Sequence, residues 1–186
     1  MNTSAPGPDG RVRCKWALAV ADMPEYLAYH DTEWGREPAD NQKWFEALTL
    51  ESFQSGLSWR TILAKRDNFR RAFQGFDFHL VAEFADADTE RLLQDTGIVR
   101  HRGKIEATIN NAARALEMLR DEGSLGAFFD RYSVDSADDP EANAKSLARE
   151  LKKRGWKFVG PTTVHAFMQA TGLVNDHASD CVFRNA

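Results

Sequence analysis

From Lys104 onward, apolar side chains return at three- and four-residue steps: Ile105, Ile109, Ala112, Leu116 and Leu119. That spacing lines one side of an amphipathic helix and predicts the most secure element of the chain. Trp44, Phe45 and Leu48 predict an inward stripe on a helix from about Gln42 to Ser55, and "TILAKRDNFRRAF" reads as a further helix. "DADTERLLQDTG" opens with acids and stops at the glycine Gly97, which suits a short helix. "PEANAKSLARELKKRG" begins at Pro140 and stops at Gly155, with cations in the last turn where the helix dipole favours them. "GPTTVHAFMQATG" is bounded by Gly160-Pro161 and Gly172. Strand-like alternation is nearly absent, and no internal repeat, heptad array or low-complexity tract divides the chain. The pattern predicts an all-α protein with a single helical domain over residues 13–186. Residues 1–12, rich in Pro, Gly and Ser, are expected to be a disordered leader.

Length and composition fit that reading. A chain of 186 residues with 42% hydrophobic residues can bury one full core. No stretch approaches the roughly 18 apolar residues of a membrane span, and the leader lacks the apolar run of a secretory signal. A soluble cytoplasmic protein is expected, most simply a monomer. In such a reducing compartment the two cysteines stay free thiols, and metal binding is the more economical use of a Cys beside a His. The net charge of −4 argues mildly against nucleic acid as partner. However, the basic residues gather in "AKRDNFRR", "VRHRGK" and "LKKRGWK", so a basic face can meet phosphates while the whole stays acidic. Each run alone is more often a solvated helix face.

Three stretches carry candidate chemistry. In "LLQDTGIVRHRGKI" a short helix ends at Gly97 and a long one opens near Arg102, so that backbone N–H groups point outward among cations. This predicts a helix-hairpin-helix that grips a DNA phosphate through Gly97, Arg100, Arg102 and Lys104, against the plainer reading of an ordinary helical corner. In "LESFQSGLSW" a Gly-containing turn separates Glu51 from Trp59. A carboxylate and an indole brought together there would hold a flat polar or cationic ring, unless Glu51 faces solvent and Trp59 the core. In "NDHASDC" His177 and Cys181 stand at i, i+4 and would share a helix face as half of a zinc site. Spacing alone leaves the other ligands open, with His101 and His165 as alternatives.

The segments "YHDTEWG", "LESFQSGLSWRTIL", "GIVRHRGKI", "LKKRGWKFVG" and "FMQATGLVNDH" follow in the order and spacing of the 3-methyladenine DNA glycosylase I family, which the chain resembles from Cys14 onward. The resemblance implies a helix-hairpin-helix glycosylase that flips 3-methyladenine out of alkylated double-stranded DNA and releases it as the free base. It implies a structural zinc on Cys14, His30, His177 and Cys181 that pins the chain ends together. It further implies that Glu51, the catalytic residue, accepts hydrogen bonds from the base, that Trp59 stacks on it, and that Tyr29, Trp16 and Trp34 complete the pocket. Leu57 would wedge into the gap left by the flipped nucleotide, if it is not simply a core leucine. Many helix-hairpin-helix glycosylases have a second hairpin glycine and a catalytic aspartate after it. Here the glycine position is Val99 and the family resembled lacks the aspartate, so neither Asp121 nor Asp130 is nominated. Lys104 suits phosphate contact better than nucleophilic attack, which implies a monofunctional enzyme. Ser52 and Phe53 depart from the usual segment beside Glu51. Two alternatives stand beside this reading: a zinc-stabilised helical DNA-binding module without catalysis, and a zinc-dependent hydrolase, which would need an open position on the metal.

Overall fold

The computed structural model describes residues 3–20, 23–134 and 139–185. Among them, ten α-helices follow a small hairpin: β1 (Ser4–Pro6), β2 (Val12–Cys14), α1 (Lys15–Leu18), α2 (Pro24–Thr32), α3 (Asn41–Gln54), α4 (Trp59–Ala72), α5 (Phe78–Val81), α6 (Asp86–Gln94), α7 (Arg102–Glu122), α8 (Leu125–Phe129), α9 (Pro140–Lys153) and α10 (Pro161–Ala170). The helical single domain expected from the pattern is present. None of the described helices is long and apolar enough to cross a membrane.

Helix α3 is the axis of the molecule. Its burial is nearly continuous, from Trp44 to Leu48 along one side and then without a break from Leu48 to Phe53. A helix enclosed all round sits inside the domain rather than on it. It contacts α4, α7, α8 and α10, with Trp44 stacked on Phe129 at 5.2 Å and Phe129 edge-on to Phe167 at 4.9 Å. Two acids, Glu46 and Glu51, are carried into this interior.

Helix α7 matches its prediction with one rotation. Its most deeply buried apolar residues are Ile105, Ala107, Ala112, Ala115 and Met118, whereas Ile109, Leu116 and Leu119 pack only partly buried at the margin. The helix meets neighbours on more than one side, so small residues sit at its closest approaches and larger ones border them.

The leader departs from expectation. Residues 4–6 pair antiparallel with residues 12–14, and Val12 accepts a hydrogen bond from Val182 near the other chain end. Composition hid the cause, which is Arg13. Its guanidinium is buried between Asp9 (2.6 Å) and Asp31 (2.8 Å), while Ser4 donates to Asp180 at 2.7 Å. Paired charge orders a stretch that has little apolar surface to bury. Residues 1 and 2 of that stretch lie outside the described residues.

Candidate active site and metal centre

Helices α3 and α4 form a tight hairpin. Gly56 takes φ +81° in the turn, a conformation that favours glycine, and Ser58 caps α4 by accepting from the Thr61 N–H at 3.2 Å. The turn brings Glu51, near the end of α3, beside Trp59, the first residue of α4. Helix α2 adds Tyr29, whose ring centroid lies 5.0 Å from that of Trp59. The three line one cavity of about 350 Å³. At its charged rim, Arg66 donates twice to Glu33 (2.6 and 3.0 Å), and Glu46 accepts from both Arg70 and Lys43 at 2.7 Å.

Two of the lining residues carry a buried polar atom without a partner. Glu51 is only 5% exposed, and neither its Oε2 nor the Trp59 Nε1 finds a hydrogen-bond partner in the protein. Each such buried atom costs roughly 1–3 kcal/mol. Burial raises the Glu51 carboxyl from 4.5 to about 8, so it is mostly protonated at neutral pH. Burial likewise pushes the Tyr29 phenol well up, with the nearby Glu51 and Glu33 adding to it. A buried acid thus lines a space walled by two aromatic rings, which suits a flat heterocycle with polar atoms on its edge.

The buried acid also ties stability to pH. A carboxyl whose pKa is raised on folding favours the fold most below about 4.5 and loses that contribution as pH rises through about 8. Glu51→Gln is expected to match the wild type near pH 5 and to be more stable near pH 9, by on the order of 3–5 kcal/mol at most. Melting curves across that range check it; parallel curves at all pH values would refute it.

On the other side of Tyr29, Cys14, His30, His177 and Cys181 converge. All four are buried, and their ligand atoms lie within 4.8 Å of one another. Cys14 Sγ and Cys181 Sγ stand 3.7 and 3.5 Å from His177 Nδ1, and Cys181 Sγ is 3.7 Å from His30 Nε2. The outward nitrogens are committed: His30 Nδ1 faces Asp31 Oδ1 at 2.8 Å, and His177 Nε2 faces the Trp34 carbonyl at 3.3 Å. Both partners accept, so each ring turns its lone pair toward the cluster, as metal-ligating histidines do. Burial keeps the imidazoles neutral, with His177 down at about 4 and His30 also lowered, and holds the Cys14 thiol up at about 11. Two soft sulfurs and two imidazoles at these separations fit one tetrahedral cation. Burial alone would raise Asp31, but its bonds to Arg13 and His30 outweigh that and its carboxyl sits below the usual range.

The local backbone differs from what the i, i+4 spacing suggested. Residues 175–181 form turns, not a helix. Close approach comes instead from Gly35, at φ +78°, where a Cβ would meet His177 Nε2 at 2.9 Å, and from Gly172, at φ +76°, where it would meet the Gly35 carbonyl at 2.8 Å. His101 and His165, the alternative ligands, are elsewhere: His101 caps α7, and His165 lies on α10.

Trp16 and Trp34 are displaced from their expected place. They do not line the cavity described above but pack on the Cys/His cluster, Trp34 edge-on to His177 at 4.6 Å and Trp16 edge-on to His30 at 5.2 Å. Indoles near one site in sequence serve the neighbouring one in space. Leu57 lies at the α3–α4 turn, 43% exposed, and is not a core leucine.

Helices α6 and α7 make the predicted corner. Gly97 donates to Asp95 at 2.7 Å, and its carbonyl accepts from Lys65 and Asn68. A Cβ on Gly97 would stand 2.9 Å from Asp95 Oδ1 and 3.0 Å from Asn68 Cγ, so a larger residue there would have to push these side chains aside. Arg100 and Arg102 are exposed, Arg102 with Glu90 at 2.6 Å. Lys104 corrects the expectation of phosphate contact: it is 7% exposed and its Nζ donates to the Phe53 and Ser55 carbonyls at 2.8 and 2.6 Å. The ammonium satisfies carbonyls at the end of α3, where no further helix turn exists to do so. Lys104→Met should cost on the order of 2–3 kcal/mol in chemical denaturation, because those carbonyls lose their donor; an unchanged midpoint would contradict this role.

Sequence reasoning missed Asp31, signalled only by its place next to His30, and the rim pairs of Arg66 and Arg70, which no spacing rule connects to Glu33 and Glu46.

The methyladenine glycosylase family model matches residues 18–185. The DNA-3-methyladenine glycosylase 1 of Escherichia coli (strain K12) is 44% identical over 180 residues, covering 91% of this chain and 95% of its own. A crystal structure of 3-methyladenine DNA glycosylase I superposes with a TM-score of 0.83 at 45% identity, covering 91% of this chain and 98% of the other. The 3-methyladenine DNA glycosylase I from Staphylococcus aureus, whose structure describes 3-methyladenine recognition, superposes with a TM-score of 0.81 at 36% identity over 88% and 93% of the two chains.

Proposed function

This chain belongs to the methyladenine glycosylase family, and we propose that it removes 3-methyladenine from alkylated duplex DNA by hydrolysing the N-glycosidic bond. The observation that carries this reading is the buried Glu51 carboxyl, its Oε2 unpaired, on the wall of a cavity shared with the Trp59 and Tyr29 rings.

The chemistry fits such a substrate. Methylation at N3 makes adenine cationic, so the base already leaves readily and little acid catalysis is needed. What the protein supplies is extraction of the nucleotide and a place for the charged ring. Stacking on Trp59, with Tyr29 closing the other side, receives its faces, and Glu51 accepts from its edge. A cationic ring favours the carboxylate over the protonated acid. Binding therefore lowers the Glu51 pKa and releases a proton, whereas neutral adenine gains no such attraction. Selectivity is electrostatic in this account: an environment that disfavours the anion alone accepts it beside a cation.

Leu57, exposed at the turn, is the wedge that occupies the stack when the nucleotide leaves. The α6–α7 corner acts as the helix-hairpin-helix, gripping a phosphate at the α7 N-terminus with Gly97, Arg100 and Arg102. Lys104 is committed to two carbonyls and Lys43 to Glu46, so neither serves as a nucleophile, and a monofunctional enzyme follows. Zinc is the proposed ion for Cys14, His30, His177 and Cys181; a closed shell of four protein ligands supplies structure and no bound water. The protein is proposed to act as a monomer, in the cytoplasm where the DNA is.

Incubation of the metal-loaded protein with N-methylated duplex DNA, followed by chromatography of the released bases, tests the function. Release of 3-methyladenine with the strand left uncut is the expected result. Tight binding to the duplex without base release would establish a DNA-binding module instead.

A further inference from the structure

Phe158 is an outlier in two respects. Its φ is +55°, in the left-handed region that a phenylalanine rarely adopts, and its ring is 40% exposed. Phe76 also has a positive φ (62°), but it is fully buried and packs in the core, which offsets the strain. Phe158 has no comparable burial.

The loop holds this conformation firmly. Asn111 clamps the Lys157 backbone from both sides, donating to its carbonyl at 2.9 Å and accepting from its N–H at 2.8 Å. Asn110 donates to the Gly155 carbonyl at 2.9 Å, and the Ser52 hydroxyl, which donates to the Leu48 carbonyl at 2.8 Å, lies 3.1 Å from the Phe158 carbonyl. Ser52 is one of the two positions where the sequence departs from the usual segment beside Glu51. Strain kept in place by several independent bonds, with the side chain turned to solvent, points to a use for that side chain.

Its neighbours say what the use is. The ring is edge-on to His101 at 5.9 Å, and a Cβ on Gly103 would stand 3.5 Å from it, so it lies over the first turn of α7. Lys104, in that same turn, bonds the Ser55 carbonyl two residues before Leu57. Phe158 therefore lies at the start of α7, beside the corner proposed to meet phosphate, with its backbone against α3 through Ser52.

We propose that Phe158 contacts the DNA directly, stacking on a nucleobase that becomes exposed when the duplex opens at the lesion, as a second apolar contact beside Leu57. This inference rests on the glycosylase reading above. Stacking of this kind is sequence-tolerant, because every base has a π-face.

The test compares wild type, Phe158→Gly and Phe158→Tyr. Binding to a duplex with a tetrahydrofuran abasic analogue is followed by fluorescence anisotropy, at a temperature where circular dichroism shows all three folded. Phe158→Gly is expected to weaken binding about tenfold while melting at or above the wild-type temperature, since glycine relieves the backbone strain. It should leave binding of free 3-methyladenine unchanged, and Phe158→Tyr should retain duplex affinity. Wild-type affinity in Phe158→Gly would overturn the proposal and make Phe158 a structural residue. If wild type releases no 3-methyladenine from methylated duplex, the glycosylase reading fails, and this inference with it.

Discussion

Cys181→Ser is expected to strip the metal and to lower the melting temperature by about 10 °C. The four proposed ligands come from opposite ends of the chain, and the small second core around them, with Tyr29, Trp34, Leu63 and Ala178, has few apolar members. Without the ion, two neutral imidazoles and a buried thiol face one another unsatisfied. Structural metal sites contribute their binding energy to folding, and losing roughly 3–5 kcal/mol of it corresponds to about 10 °C or more in a domain of this size. The fraction still folded should keep its base-release chemistry within a few-fold, because Glu51 and Trp59 are placed by the α3–α4 hairpin and not by the cluster. Metal analysis alongside calorimetry checks this. Full metal content with an unchanged transition would remove the cluster from the account.

The second large effect concerns Glu51. Glu51→Gln should reduce release of 3-methyladenine from methylated duplex roughly 10- to 100-fold, the range of one hydrogen bond to a charged partner, without loss of fold. Glutamine fills the same space but cannot become the anion that a cationic ring selects. The same variant is expected to be the more stable protein above about pH 8, so the site holds its acid at the expense of stability, a common trade at functional positions. Wild-type release by Glu51→Gln would show that the acid is not what recognises the base.

Where local pattern and tertiary packing agree, the fold is legible in the amino-acid sequence. Capping and periodicity place α3, α4, α6, α7, α9 and α10, and the Gly56 turn is enough to bring Glu51 to Trp59. The Cys/His cluster proposed to hold a metal is legible only with the family resemblance, since nothing local links Cys14 to His177 across 163 positions. What stays hidden is set by long-range side-chain partners. The leader orders because Arg13 finds two aspartates, and Lys104 turns inward because α3 ends with bare carbonyls beside it. Trp16 and Trp34 illustrate the same limit: composition says an indole is buried somewhere, and only packing says against what.

If the cavity of Glu51, Trp59 and Tyr29 reads the alkylated base, direct binding shows it with the least intervening chemistry. Titration of the metal-loaded protein with free 3-methyladenine and with adenine, followed by quenching of tryptophan fluorescence, should give saturable binding for the methylated base alone, because that base, neutral once released, takes the Glu51 proton to form the same ion pair, and the binding should weaken in Glu51→Gln. Equal quenching by both bases, or an unchanged affinity in Glu51→Gln, would contradict the account.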